Sequence, residues 1–322
     1  MNTDRFSPRK PLLSLSDLAP AEVARLGHTA FAYGASRAPF AGLLEGARVG
    51  LLFTAPSTRT RTSYWSAATT LGCHTLHFGA ADLQVGTGES WGDTGLVLDN
   101  YLDAAVVRTN GPQLDMAELA RALPATINAL SYEEHPTQAI ADLSALRGHF
   151  GPLGDGGRPL RLAYLGLVNN TARALALLAV KTPGMTLDVY SPQGRGFTDE
   201  ELKDLNARTD RDVVRQFDRV PSTPDAVDAV YTTRWQSMGV PYEDENWADA
   251  FRPFAVTTQT MSRFSKDTEA VFLHDLPAMR EMEASSEVID GKLSLVRSQA
   301  YHKESAAAAA LLWALGDRQV SA

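Results

Sequence analysis

Short apolar runs alternate with amphipathic stretches along most of this chain. Ala47–Thr54 (ARVGLLFT) and Ala104–Thr109 (AAVVRT) are too short for helices and too uniformly apolar for half-exposed strands, so they predict buried parallel strands. A further strand is expected near Thr75–Phe78. Helices are expected over Asp17–Phe31, opened by Ser16 as N-cap with Pro20 in the first turns, and over Thr58–Leu71, Ser90–Tyr101 and His135–Phe150. The last carries Ile140, Leu143 and Leu146 on one face. The second half repeats the alternation, with buried strands expected at Leu160–Leu167, Thr186–Ser191, Ala226–Thr232, Phe254–Thr257 and Ala270–Leu273. The Ala306–Ala310 run reads as helix, because alanine has the highest intrinsic helix propensity.

Strand–helix alternation in both halves predicts an α/β protein of two domains, each a largely parallel sheet flanked by helices. Gly148–Pro159 holds five glycines and two prolines in twelve residues and is expected to be the linker. The divisions are residues 1–147, the linker 148–159, residues 160–298 and a C-terminal helix over 299–322. In such folds ligands bind beyond the carboxyl ends of the strands, so chemistry is expected just after the strands named above.

Composition narrows the function classes. The chain has 322 residues, 44% hydrophobic and 21% charged, with a net charge of −8. That balance argues against a nucleic-acid or anionic-membrane binder. The longest apolar run, Ala306–Leu315, is ten residues, about half of a membrane span. The N-terminus lacks the apolar core of a signal peptide, and a cytoplasmic location is expected. Cys73 is the one cysteine, so neither an internal disulfide nor a cysteine-based zinc cluster is expected. His74, His77, His149 and His302 show no metal-ligand spacing.

The densest chemistry is Pro56–Ser63 (PSTRTRTS), directly after the Ala47–Thr54 strand and at a helix start. Five hydroxyls, two guanidiniums and the unpaired N–H groups of a helix N-terminus converge there, which suits a phosphate. No G-x-G-x-x-G follows any predicted strand, which disfavours a dinucleotide site.

This segment resembles the carbamoyl-phosphate loop of the aspartate/ornithine carbamoyltransferase family. Five further segments resemble that family in the same order: Gln84–Thr94 (QVGTGESWGDT), Asp103–Thr109 (DAAVVRT), His135–Gln138 (HPTQ) followed by Asp142, and the acceptor segments Tyr231–Gly239 (YTTRWQSMG) and His274–Ala278 (HDLPA). The resemblance runs from about Leu12 to the C-terminal helix. It implies a first domain that binds carbamoyl phosphate, a second that binds an amino-acid acceptor, and a C-terminal helix that returns to the first. Ser57, Thr58, Arg59 and Thr60 would hold the phosphate, with Thr60 also near the carbamoyl oxygen. Arg108 would bridge phosphate and carbonyl, His135 would donate to the carbonyl, and Gln138 would hold the carbamoyl nitrogen. Gln84 would enter the site of an adjacent subunit, implying a homotrimer with shared active sites. Arg61 would be an ion-pair partner rather than a ligand. Neither metal nor organic cofactor is implied. Domain closure around the substrates is expected.

The acceptor half departs from both parent types. Thr233 stands where the ornithine type has aspartate, and Asp275 where it has cysteine. Arg234 and Gln236 resemble the aspartate type's carboxylate clamp, while Ser237 and Met238 are ornithine-like and Thr87 replaces the aspartate type's loop lysine. Asn170 matches an ornithine-type acceptor asparagine, and Leu276 follows Asp275 in the last acceptor segment. Arg173 is one residue out of register with an aspartate-type arginine. Lys303 replaces an arginine that helps bind carbamoyl phosphate, keeping the charge but losing the fork. Trp65 replaces a glutamate and is expected to substitute packing for an ion pair. Because Asp275 would attract an ammonium, the expected acceptor is a short diamino acid such as 2,3-diaminopropionate in specialised biosynthesis. The alternatives are ornithine or aspartate as acceptor, or a non-catalytic anion-binding relative.

Overall fold

The computed structural model describes residues 6, 8–154, 156–236, 246–265 and 269–316. The chain forms two compact units, Met1–Ser144 with Tyr301–Ala322, and Ala145–Ala300.

In the first unit β1 (Arg48–Phe53), β2 (His74–Gly79), β3 (Ala104–Arg108) and β4 (Thr126–Leu130) form a four-stranded sheet in the order β2-β1-β3-β4. All its pairs are parallel. The helices are α1 (Pro20–Ala35), α2 (Arg59–Thr70), α3 (Trp91–Leu98), α4 (Gln113–Ala122) and the first part of α5 (Pro136–Phe150). β1 and β3 are central and almost wholly buried, which is why they read as unbroken apolar runs. Phe53 pairs with Arg108, and Thr54 N donates to Arg108 O at 3.0 Å. The loop after β1 and the end of β3 therefore leave the sheet side by side.

In the second unit β5 (Leu160–Leu165), β6 (Met185–Tyr190), β7 (Val214–Phe217), β8 (Ala229–Thr232) and β9 (Val271–His274) run parallel in the order β7-β6-β5-β8-β9. Its helices are α6 (Asn170–Lys181), α7 (Asp199–Asn206), α8 (Thr258–Phe264) and the single turn α9 (Ser286–Ile289). Leu165 pairs with Thr232, and Thr232 with His274. The ends of β5, β8 and β9 thus deliver Asn169, Thr233 and Asp275 to one edge. α10 (Val296–Leu315) passes from the second unit into the first. There Tyr33 Oη donates to Glu304 at 2.9 Å and Tyr301 Oη to the Gly34 carbonyl at 2.8 Å.

Several expectations need correction. Ser16 does not cap α1; the helix starts at Pro20, with the Glu22 carboxylate reaching back to Ala19 N at 2.9 Å. Proline restricts its predecessor to extended backbone, and Ala19 has ψ 153°, so the helix can begin only at Pro20. Ser14 instead caps a short turn over Leu15–Asp17. Phe254–Thr257 is not a strand: Phe254 ends a tight turn, Val256 makes one isolated bridge to Ala284, and Thr257 caps α8. α5 continues to Phe150, so Gly148–Phe150 of the expected linker is helical. α4, β4 and β7 were not anticipated. β7 alternates buried and exposed positions over four residues, too short a pattern to stand out.

Candidate functional site

The β1–α2 turn carries the expected phosphate residues. Thr58 precedes α2 in helical conformation and makes no side-chain cap, and no acidic residue sits in the first turn. Among the described residues no side chain caps the N-terminal N–H groups of this twelve-residue helix, so they can meet an external acceptor. Ser57 Oγ is buried with no hydrogen-bond partner among the described residues, and Arg59 is half-buried. Thr60 and Arg108 are both buried, and Arg108 Nη1 donates to Thr60 Oγ1 at 3.1 Å. Because that oxygen accepts from arginine, its own proton is directed elsewhere.

His135 is 4% exposed, and its Nδ1 is buried with no hydrogen-bond partner among the described residues. Burial, then the charges of Lys303 and Arg108, hold its pKa well below the ordinary histidine value. The imidazole is neutral at pH 7 and can donate to a polarised carbonyl without itself being an acid. Gln138 is oriented from both sides: its Nε2 donates to Asp142 at 2.8 Å, and its Oε1 accepts from Lys303 Nζ. The amide oxygen, not the nitrogen, therefore faces the cationic side, where it can accept from a carbamoyl N–H.

Two first-unit expectations change, those for Arg61 and Trp65. Arg61 makes no ion pair among the described residues; its guanidinium lies over the Phe53 ring, 5.3 Å from the centroid. Trp65 is 49% exposed, so it does not replace an ion pair with core packing. Gln84 is exposed, and its side-chain oxygen accepts from Thr87 Oγ1 at 2.9 Å.

One positioning group escaped the sequence. Glu134 is buried and receives Ser14 Oγ and Leu15 N, the latter at 2.9 Å. It ties the N-terminal segment to the residue just before His135. The signal was a glutamate beside a candidate histidine, but nothing local indicated its partner 120 positions away.

In the second unit, Asn169 caps α6, accepting from Thr171 N at 3.0 Å and Ala172 N at 3.2 Å. Asn170, the residue singled out from sequence, is half-buried in the first helical turn. Asn169 Nδ2 donates to Thr233 Oγ1 at 2.9 Å, and Thr233 lies 3.3 Å from Tyr164 Oη. Asp275 Oδ2 accepts from Thr171 Oγ1 at 2.9 Å. Leu276 N donates to His274 Nδ1 at 2.8 Å, so that nitrogen carries a lone pair and the proton sits on Nε2, facing Glu283 at 3.2 Å. His274 therefore forms no ion pair with Asp275, although the atoms are 3.6 Å apart. Leu276 has φ 55°, a left-handed conformation rare for a side chain of this size and common where a fold holds a functional loop in place. Arg234 Nη2 reaches Gln236 Oε1 at 3.5 Å, and Arg234 Nε is buried without a hydrogen-bond partner among the described residues. Arg173 pairs with Glu201 instead of reaching this edge. Ser237 and Met238 lie outside the described residues.

Among the described residues no group of three or more histidine, cysteine or acidic side chains could hold a metal ion. No described helix is long and apolar enough to cross a membrane.

Two parallel α/β units, each with polar side chains gathered just beyond the carboxyl ends of its strands, have the architecture in which such folds bind their ligands. Residues 10–148 match the aspartate/ornithine carbamoyltransferase carbamoyl-P binding domain, and residues 158–315 match the Asp/Orn binding domain of the same family. The ornithine carbamoyltransferase of Rhodococcus jostii is 36% identical over 315 residues, covering 96% of this chain and 97% of the relative. That of Methanothermobacter thermautotrophicus is 36% identical over 279 residues, covering 85% and 89%. The solved ornithine carbamoyltransferase from Pyrococcus furiosus superposes with a TM-score of 0.86 at 30% identity, covering 98% of this chain and 99% of that one. The chain belongs to the aspartate/ornithine carbamoyltransferase family. It is a carbamoyltransferase. The expectation of 2,3-diaminopropionate and a specialised pathway finds no support in these likenesses, which favour the ornithine alternative.

Proposed function

We propose that this enzyme transfers the carbamoyl group of carbamoyl phosphate to the side-chain amine of ornithine, giving a ureido amino acid and phosphate. The observation that carries the reading is the near-full-length likeness to enzymes named ornithine carbamoyltransferase. The second-unit edge fits it, because an amino acid with a second amine needs both a carboxylate partner, Arg234, and an ammonium partner, Asp275.

In this reading Ser57, Thr58, Arg59 and the N–H groups of α2 hold the phosphate, and Lys303 adds positive charge. Thr60, Arg108 and neutral His135 donate to the carbamoyl oxygen, while Gln138 Oε1 accepts from the carbamoyl nitrogen. Asn170, Arg234 and Gln236 hold the amino-acid end, with Ser237, Met238 and Leu276 completing the acceptor segments. The uncharged amine attacks the carbamoyl carbon, forming a C–N bond as the carbonyl electrons move to oxygen. The three donors stabilise that oxyanion. Collapse breaks the carbon–oxygen bond to phosphate, which departs and takes the proton from the new ammonium nitrogen. Positioning of the two substrates supplies much of the remaining acceleration.

Gln84 is proposed to complete the phosphate site of a neighbouring copy in a homotrimer. Its exposure on a loop supports this, and sedimentation with a Gln84→Ala variant tests it: a trimer with impaired turnover is expected, and a fully active monomer overturns it. Acceptor identity is tested with isotopically labelled carbamoyl phosphate against ornithine, lysine, aspartate, putrescine, 2,4-diaminobutyrate and 2,3-diaminopropionate, with ureido products read by mass. Ornithine should give the largest kcat/KM. Preference for a shorter diamino acid overturns the assignment of ornithine, and binding of carbamoyl phosphate without turnover of any amine overturns the assignment as a catalyst.

A further inference from the structure

The second-unit edge holds a hydrogen-bonded series that links Thr233 and Asp275, from the two acceptor segments, through Asn169 and Thr171, which lie in neither. Tyr164 Oη donates to the Leu167 carbonyl, so its single proton is used. Thr233 Oγ1, 3.3 Å away, also takes the Asn169 amide N–H at 2.9 Å. The Asn169 oxygen then holds the N–H groups of Thr171 and Ala172. Thr171, 2% exposed, turns its hydroxyl onto Asp275 Oδ2 at 2.9 Å.

The two Asp275 oxygens are thereby made unequal. Oδ2 is tied to the first turn of α6, where the helix dipole favours an anion. Oδ1 faces His274 Nδ1 at 3.6 Å, a nitrogen that has no proton to give because it already accepts from Leu276 N. Among the described residues no donor bonds Oδ1, and the side chain is 18% exposed. An aspartate has no intrinsic means of holding this orientation, because its terminal torsion is broad and roughly two-fold. Thr233, by contrast, is neutral, and its hydroxyl is taken up by the Asn169 amide and the Arg234 carbonyl.

We infer that Thr171 is a positioning residue for acceptor recognition, its hydroxyl aiming the Asp275 carboxylate so that one oxygen is held and the other is presented to the acceptor's amine. This rests on the reading above that Asp275 faces that amine. Asn169 supports the arrangement by fixing the turn on which Thr171 sits.

The test is a double-mutant cycle on the full chain with the preferred acceptor, using Thr171→Val, Thr171→Ser, Asp275→Asn and the Val/Asn double variant. Valine keeps the β-branched shape and removes only the donor. Thr171→Val should lower acceptor kcat/KM about tenfold, the loss expected for one hydrogen bond to a charged group. The KM for carbamoyl phosphate should not change, and Thr171→Ser should recover most of the activity. In the Asp275→Asn background, Thr171→Val should have no further effect. Full additivity of the two variants, or a Thr171→Val enzyme with wild-type acceptor kinetics, overturns the role of Thr171 while leaving that of Asp275 intact. If Asp275→Asn alone leaves acceptor kinetics unchanged, the acceptor-facing role of Asp275 fails, and the Thr171 inference with it.

Discussion

The Thr60 hydroxyl holds Arg108 and is proposed to serve the carbamoyl oxygen, and Thr60→Val probes both roles. Its oxygen accepts from Arg108 Nη1 at 3.1 Å, and both residues are 5% exposed. Valine matches the branched shape, so the change removes the oxygen and its proton with little change in packing. If the proton serves the carbamoyl oxygen as negative charge develops, its loss should lower kcat by about 10²–10³-fold, the usual effect of deleting one oxyanion donor. Separately, the buried guanidinium loses this acceptor, which costs roughly 1–3 kcal/mol of stability. The thermal midpoint should then fall by several degrees, at about 2–4 °C per kcal/mol for a unit of this size. The phosphate contacts proposed for Ser57, Thr58, Arg59 and the helix N–H groups remain, so the KM for carbamoyl phosphate should move by less than about fivefold. Steady-state ureido formation and calorimetry measure both effects, and Thr60→Ser should retain most of the activity. A kcat within about fivefold of wild type would falsify the oxyanion role. A large rise in KM at unchanged kcat would mean that the hydroxyl binds ground state and transition state alike.

Two further predictions concern the same unit. His135 is neutral because its pKa is held well below the ordinary value by burial first and by Lys303 and Arg108 next. Between that lowered pKa and about 6.5 the unfolded chain binds a proton that the folded one does not, so this residue's contribution makes stability fall as pH drops through that window and level off below it. NMR titration should find one imidazole, absent in His135→Gln, that stays neutral well below pH 6.5; Lys303→Met should raise its pKa without reaching 6.5, since burial is the larger cause. A His135 that titrates at an ordinary value refutes the neutral-donor assignment. Gly34→Ala would bring a methyl group to 2.8 Å from His302 Cε1 and 3.1 Å from Ser305 Oγ, while His302 Nδ1 is held by Ser144 Oγ at 2.8 Å. Overpacking of about 1–3 kcal/mol should outweigh the roughly 1 kcal/mol that alanine adds to helix propensity, lowering the thermal midpoint. A raised midpoint would show that α10 yields there.

What the residues reveal on their own divides by range along the chain. The β1 and β3 strands, the Pro56–Ser63 turn and the HPTQ helix start were legible because burial of a parallel strand, helix-start chemistry and proline's backbone limits all act over a few residues. The same local logic misplaced the start of α1 only by crediting Ser16 over Pro20, and it made Phe254–Thr257 a strand because a short apolar run does not reveal whether a sheet has room for it. Arg61 and Trp65 were misread for a related reason: whether a charge finds a partner, or an indole a core, depends on what the fold brings opposite.

The sequence by itself determined an α/β chain in two halves, a helix start rich in hydroxyls and guanidiniums, and the residue types proposed to polarise a carbonyl. Tertiary structure decided how those residues are set. Arg108 meets Thr60 across 48 positions, Asp275 meets Thr171 across 104, and Lys303 meets Gln138 across 165. The neutral state of His135, the direction of the Gln138 amide and the orientation of the Asp275 carboxylate all follow from such contacts. Periodicity and turn chemistry are encoded between near neighbours, whereas desolvation, charge proximity and the rotamer of a terminal carboxylate are set by groups that only the folded chain brings together.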